Sequence, residues 1–127
     1  MVEDSDKKNA ISWNFDYAHT ASFVLNEQKM QRVIMNILQN AIEAMNGCGE
    51  VFVSTSTSDQ NVLRIRNTNS SIDRDFIDRV FEPYFTSGKS HGTGLGLAVA
   101  KTVVENHGGT IACFSDSGVT FELRFPK

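Results

Sequence analysis

Residues 27–46 read EQKMQRVIMNILQNAIEAMN. In this stretch Met30, Val33, Ile34, Ile37, Leu38, Ala41, Ile42 and Met45 recur at intervals of three and four, which predicts an amphipathic helix with one apolar face. Asn26 stands where an N-cap belongs, and Gly47 and Gly49 end the pattern. Beside the apolar face, Asn36, Asn40 and Glu43 fall at i, i+4 and i+7, so two amides and a carboxylate share one stripe. Asn in a helix interior costs about 0.6 kcal/mol relative to Ala, so two on one stripe call for a reason. One reason is a solvated face. The other is a hard cation such as Mg²⁺, which takes one or two protein oxygens and fills its shell with phosphates and water.

Outward from this helix the chain alternates between the two periods. Ile11, Trp13, Phe15 and Tyr17 alternate with polar residues as in a half-buried strand, and Phe23 to Leu25 is a short apolar run. After the helix come two strand candidates, Val51 to Thr57 and Val62 to Arg66, joined by a polar hairpin loop. The all-polar NTNSS segment (67–71) leads to Asp73, which predicts a capped short helix through Phe76, Ile77, Val80 and Phe81, stopped by Pro83. A polar loop, SGKSHGT (87–93), precedes a helix through Leu97 and Val104 that Gly108 and Gly109 terminate. Thr110 to Phe114 and Val119 to Phe125 are the last two strands. The order predicts an α+β two-layer sandwich. Its mixed, mainly antiparallel sheet has about five strands and is covered on one face by about three helices, because a doubly wound sheet needs strict strand and helix alternation. Residues 1–9 (MVEDSDKKN) have five charges and read as a polar tail or linker, leaving 10–127 as one domain.

Composition narrows the function classes. A length of 127 residues suits one domain with its own core. Twelve Lys and Arg against fifteen Asp and Glu leave a net charge of −3, which argues against a dedicated nucleic-acid binder. Cys48 and Cys113 stand in no metal-ligand or C-x-x-C pattern, in keeping with a reducing compartment. No apolar run reaches the length of a membrane span, and the first residues lack the apolar core of a signal peptide.

The segment GTGLGL (92–97) sits at a loop-to-helix junction. Its glycines let backbone N–H groups approach an anion, and the helix N-terminus adds partial positive charge, so in form it is a phosphate cradle. It is neither of two familiar phosphate loops. Gly88-Lys89-Ser90 lacks the earlier glycine of a P-loop, its place taken by Pro83, and G-x-G-x-G is not the dinucleotide G-x-G-x-x-G. His19, His91 and His107 have no nucleophile or metal-ligand partner at an informative spacing. His107 reads as a helix C-terminal residue favoured by the dipole, whereas His91 lies beside the glycines, within reach of a phosphate.

Together these strings resemble the ATP-binding catalytic domain of sensor histidine kinases (Bergerat fold), a superfamily shared with gyrase, heat-shock chaperones and mismatch-repair ATPases. NILQNAIEAM (36–45) looks like the family's N box, FEPYFT (81–86) like its F box and GTGLGL like its second glycine box. HGGTI (107–111), GVTF (118–121) and RFP (124–126) also match, so the resemblance covers about Phe23 to Pro126. It implies ATP and Mg²⁺ as ligands, with Asn40 holding the metal and Asn36 facing the phosphates or the metal's waters. Gly92, Thr93, Gly94, Leu95, Gly96 and Leu97 would hold the triphosphate, Ser87 to His91 would cover it, and Phe81 and Phe85 would brace that cover. Lys89 and His91 are placed to meet phosphates, and Asn67, Ile72 and Thr120 are expected around the base.

One motif departs from the pattern. The first glycine box, D-x-G-x-G in the family, is here Asn67, Asn69 and Ser71. The Asn67 amide oxygen can still accept from the adenine amine, at a cost of about 1 kcal/mol relative to a carboxylate, so restoring Asp at 67 is expected to tighten binding. Asn69 suits a positive φ, whereas Ser71 is no obvious substitute for glycine. The change leaves open a kinase-like domain that serves as a regulatory interaction module. An anti-sigma-factor serine kinase shares the fold, but FEPYFT and GTGLGL look more like histidine kinases. The resemblance further implies a phosphate-accepting histidine on a dimerisation domain of the same full-length protein, and a response regulator receiver domain as partner. It also implies a monomeric fragment that does not autophosphorylate alone, and a cytoplasmic position, with the full-length protein anchored in the inner membrane in one arrangement.

Overall fold

A computed structural model describes residues 11–17, 27–46, 48–57, 59–85 and 96–126. Its elements are β1 (Ile11–Tyr17), α1 (Glu27–Ala44), β2 (Gly49–Thr57), β3 (Gln60–Asn67), α2 (Arg74–Ile77), α3 (Gly96–Asn106), β4 (Thr110–Ser115) and β5 (Val119–Pro126). The apolar run Phe23 to Leu25 and the expected cap Asn26 lie outside the described residues. The five strands form one sheet in the order β1-β2-β3-β5-β4. β1 and β2 are parallel, with α1 between them in the chain, and the other pairs are antiparallel. A parallel pair needs a crossover, which is why the sheet is mixed.

Alternation along β5 sorts its side chains between two faces. Val119, Phe121, Leu123 and Phe125 are buried beneath the helices with Val51 and Ile65. From above, α1 contributes Val33 and Ile37, the turn just past it contributes Met45, and α3 contributes Ala100 and Val104. This is the two-layer α+β arrangement that the sequence predicts. Cys113 is among the buried residues, and burial pushes its thiol pKa up to about 12, so it acts as a small apolar side chain.

The short helix differs from expectation. α2 is a single turn ending at Ile77, six residues before Pro83, and Asp73 makes no side-chain cap. None of its residues is buried. Four residues close too few hydrogen bonds to persist alone, so the chain continues through successive tight turns, Arg79 N to Phe76 O, Glu82 N to Arg79 O and Phe85 N to Glu82 O. The end of α3 follows the sequence: Gly108 takes φ +78° and the Gly109 amide donates to Val104 O at 3.0 Å.

The sheet face away from the helices carries a charge ladder. Glu122 accepts from Arg64 Nε at 2.6 Å and from Arg124 Nε at 2.8 Å, and only 10% of its side chain is exposed. Burial alone would raise its pKa above the ordinary 4.5, but the hydrogen bonds and charges of Arg124 and Arg64 outweigh burial and lower it. A lowered folded pKa adds stability that is complete above pH 4.5 and is lost as pH falls through the folded value. Glu122→Gln is expected to cost about 1 kcal/mol at pH 7, a modest figure because both arginines are partly solvated. The difference between the two proteins should shrink towards pH 3 in urea unfolding curves. A constant difference from pH 7 to 3 would contradict the assignment.

Candidate functional site

The middle of α1 holds Asn36 and Asn40, the two residues expected to meet the metal and phosphates. On one flank the Asn36 side chain donates from Nδ2 to the carbonyl of Gly96, the first residue of α3, at 3.1 Å. A Cβ built on Gly96 would lie 3.7 Å from Asn36, so the two segments are in contact. One turn on, the Ala41 carbonyl accepts from Asn67 Nδ2 at 3.4 Å. Asn40 lies between these two attachments, half-buried. Among the described residues its side-chain amide has no hydrogen-bond partner. The helix thus links the start of α3 to the end of β3, with Asn40 between them.

Asn67 ends β3 and is 2% exposed. Its Nδ2 donates to Ala41 O and, at 2.9 Å, to Ser70 Oγ, which uses both amide hydrogens. A backbone carbonyl can only accept, so Ala41 O fixes which way the amide faces and turns Oδ1 the other way. Oδ1 is the one buried side-chain nitrogen or oxygen without a partner among the described residues. A buried acceptor left unpaired costs about 1–3 kcal/mol, and an N–H from a bound group relieves that cost. The residue expected to accept from the adenine amine is therefore an acceptor in want of a donor.

The neighbouring residues explain how the altered glycine box is tolerated. Asn69 adopts φ +55°, the conformation expected of it, and its Nδ2 donates to Cys48 O at 2.8 Å and Met45 O at 3.4 Å. It therefore satisfies carbonyls just past α1, a capping role that no glycine could perform. Ser71 is exposed and is not among the positive-φ residues, so its backbone conformation does not call for glycine. Ile72 donates its backbone N–H to Ser115 Oγ at 3.0 Å and packs on the core. The Phe81 ring stands edge-on to Phe121 at 6.2 Å between centroids, and Phe85 lies 5.6 Å from Phe76 with the Arg79 guanidinium over its ring.

Thr120 needs correction. β5 pairs Val119 with Asn67 and Thr120 with Arg66, so alternation turns Thr120 to the sheet face away from the helices. Val119, 2% exposed, is the β5 residue beside Asn67. Leu97 is half-buried against the core, and Gly96 opens α3 as expected. Lys89, His91, Gly92, Thr93, Gly94 and Leu95 lie outside the described residues. His107 ends α3 with Nδ1 2.8 Å from Val103 O, the structural role read from the sequence. Two residues here had no sequence signal. Ser70 filled a variable position of the motif, and Lys101, whose ammonium lies 5.8 Å from the Phe81 ring centre, looked like an ordinary helix surface residue.

Comparison with known proteins agrees with this geometry. The family profile described as histidine kinase-, DNA gyrase B-, and HSP90-like ATPase matches residues 25–127. The sensor histidine kinase ZraS of Escherichia coli K12 is 41% identical over 101 residues, 77% of this chain and 22% of that protein. The chain thus spans about a fifth of that relative's length. In structure the chain is similar to the nucleotide-free catalytic domain of histidine kinase ThkA, with TM-score 0.82 and 28% identity over 98% of this chain and 84% of the other. A longer ThkA structure, in complex with a response regulator protein, shares the fold with TM-score 0.76 and 24% identity over 98% of this chain and 36% of the other. With Asn36 of α1 held to the start of α3 and Asn67 of β3 held to the Ala41 carbonyl of α1 on this sheet, the chain belongs to the histidine kinase-, DNA gyrase B-, and HSP90-like ATPases and is similar within them to the catalytic domains of sensor histidine kinases.

Proposed function

We propose that this domain binds ATP with Mg²⁺ and presents the γ-phosphate to a histidine on a dimerisation domain of the same full-length protein, from which a response regulator receives it. The observation that carries the reading is the orphaned Asn67 Oδ1, deep at the end of β3 and aligned by Ala41 and Ser70. An adenine amino group supplies the N–H that this oxygen lacks. Among the described residues no group of three His, Cys, Asp or Glu could hold a metal, so a metal here depends on phosphate oxygens, with the Asn40 amide oxygen as the protein's ligand. When bound, Mg²⁺ neutralises phosphate charge. The protein's own part is positioning: Asn36 fixes the start of α3, whose N-terminal amides face anions, and Asn67 fixes the base. Among the described residues no helix is long and apolar enough to cross a membrane, and we place the domain on the cytoplasmic side, with its regulator.

Asn67→Asp tests the base contact through two opposed effects. The carboxylate cannot donate to Ala41 O, so the ligand-free protein should lose about 1–3 kcal/mol of stability. ATP should nevertheless bind severalfold tighter, because the adenine amine then meets a charged acceptor. A lower melting temperature with unchanged ATP affinity would place base recognition elsewhere.

A further inference from the structure

We propose that Lys101 is a positioning residue for the phosphate-binding end of α3, an inference that rests on the nucleotide reading above. α3 is held at two places on opposite flanks. On one flank Asn36 of α1 donates to the carbonyl of Gly96. On the other, the Lys101 ammonium lies over the face of Phe81, 5.8 Å from its centroid. The ring cannot follow a moving lysine, because its edge is set against Phe121, which is 1% exposed in the core. Between the two attachments Ala100 and Val104 bury the inner face of the helix. Leu97 and Val103 pack beside them, and the two polar attachments at the sides of this apolar face add directional contacts that oppose a roll of the helix. The direction of the first amides of α3 therefore depends on Lys101, five residues from Gly96, although Lys101 itself touches no nucleotide. Asn67 is held instead by Ala41 of α1 and by Ser70, so the base contact should be indifferent to the Lys101 attachment.

The test compares Lys101→Met, which keeps the length and apolar stem but removes the charge, with Lys101→Arg, which keeps the cation. Binding of Mg-ATP and of adenosine to the purified chain is followed by titration, and stability by thermal melting. Lys101→Met should weaken Mg-ATP about threefold or more and leave adenosine affinity and the melting temperature of the ligand-free protein unchanged, while Lys101→Arg stays within twofold of the parent. Unchanged Mg-ATP affinity in Lys101→Met would overturn the inference. Equal loss for Mg-ATP and adenosine would do the same, since it marks a general structural role. Should Lys101→Met not fold, Lys101→Gln carries the same comparison. Failure of the parent protein to bind Mg-ATP at all is a separate result, which overturns the nucleotide reading itself.

Discussion

Replacing Gly118 with alanine is expected to cost about 3–5 kcal/mol and to lower the melting temperature by on the order of 10 °C or more. Gly118 has φ +110°, a conformation that L side chains rarely adopt, and a Cβ there would lie 2.2 Å from the backbone oxygen of Asn67 and 3.2 Å from its carbonyl carbon. No rotamer change relieves a clash with backbone. Either the β3 and β5 ends separate, or Asn67 shifts and its amide leaves Ala41. Gly108→Ala supplies the comparison. It also has positive φ, +78°, but its Cβ would meet nothing within 4 Å, so only the conformational cost of about 1 kcal/mol remains. Circular dichroism melts of the two variants separate clash from strain. Equal melting temperatures would show that β5 does not press on Asn67 as described.

Asn40→Ala is expected to move stability and binding in opposite directions. Among the described residues the Asn40 amide has no hydrogen-bond partner and its side chain is half-buried on α1, so the loss of side-chain contacts is small. Alanine is the better helix former, which should raise stability by about 0.5 kcal/mol. Mg²⁺-dependent nucleotide binding should fall at least tenfold, since the metal would lose its protein ligand. A residue kept at a cost to its own helix is the signature of a functional position. A variant that melts higher and still binds Mg-ATP like the parent would leave Asn40 without a role. The interaction-module reading predicts that outcome.

The parts of the fold that were legible were those written in periodicity. The face of α1 follows from Val33, Ile37 and Ala41 at helical spacing, and the inner face of β5 from Val119, Phe121, Leu123 and Phe125 at alternate positions. α2 was legible as a short helix after Asp73 but not in its extent, because Phe76 and Ile77 pack on neighbours from a single turn instead of extending a helix to Phe81. Thr120 shows a different limit. A motif places a residue near the site in the chain, but the face it takes is set by pairing with β3, and one position decides between Asn67 and Arg66 as its neighbour. The altered glycine box was legible as a departure, and its consequence was not. That Asn69 satisfies the carbonyls of Met45 and Cys48, and that Ser70 holds the Asn67 amide, are contacts across 21 to 24 residues and across 3, and no local spacing predicts them.

The proposed function would also account for how a chain of net charge −3 can suit a polyanion. On that proposal, recognition draws on an aligned amide oxygen, a helix N-terminus and a metal shared with the phosphates, none of which adds basic residues to the composition.

The most direct measurement is a titration of the purified chain with fluorescently labelled ATP, with Mg²⁺ and with chelator in its place. Saturable binding below the millimolar range that weakens without Mg²⁺ and is competed by unlabelled ATP is the predicted result, whereas no saturation into the millimolar range under either condition would contradict the account.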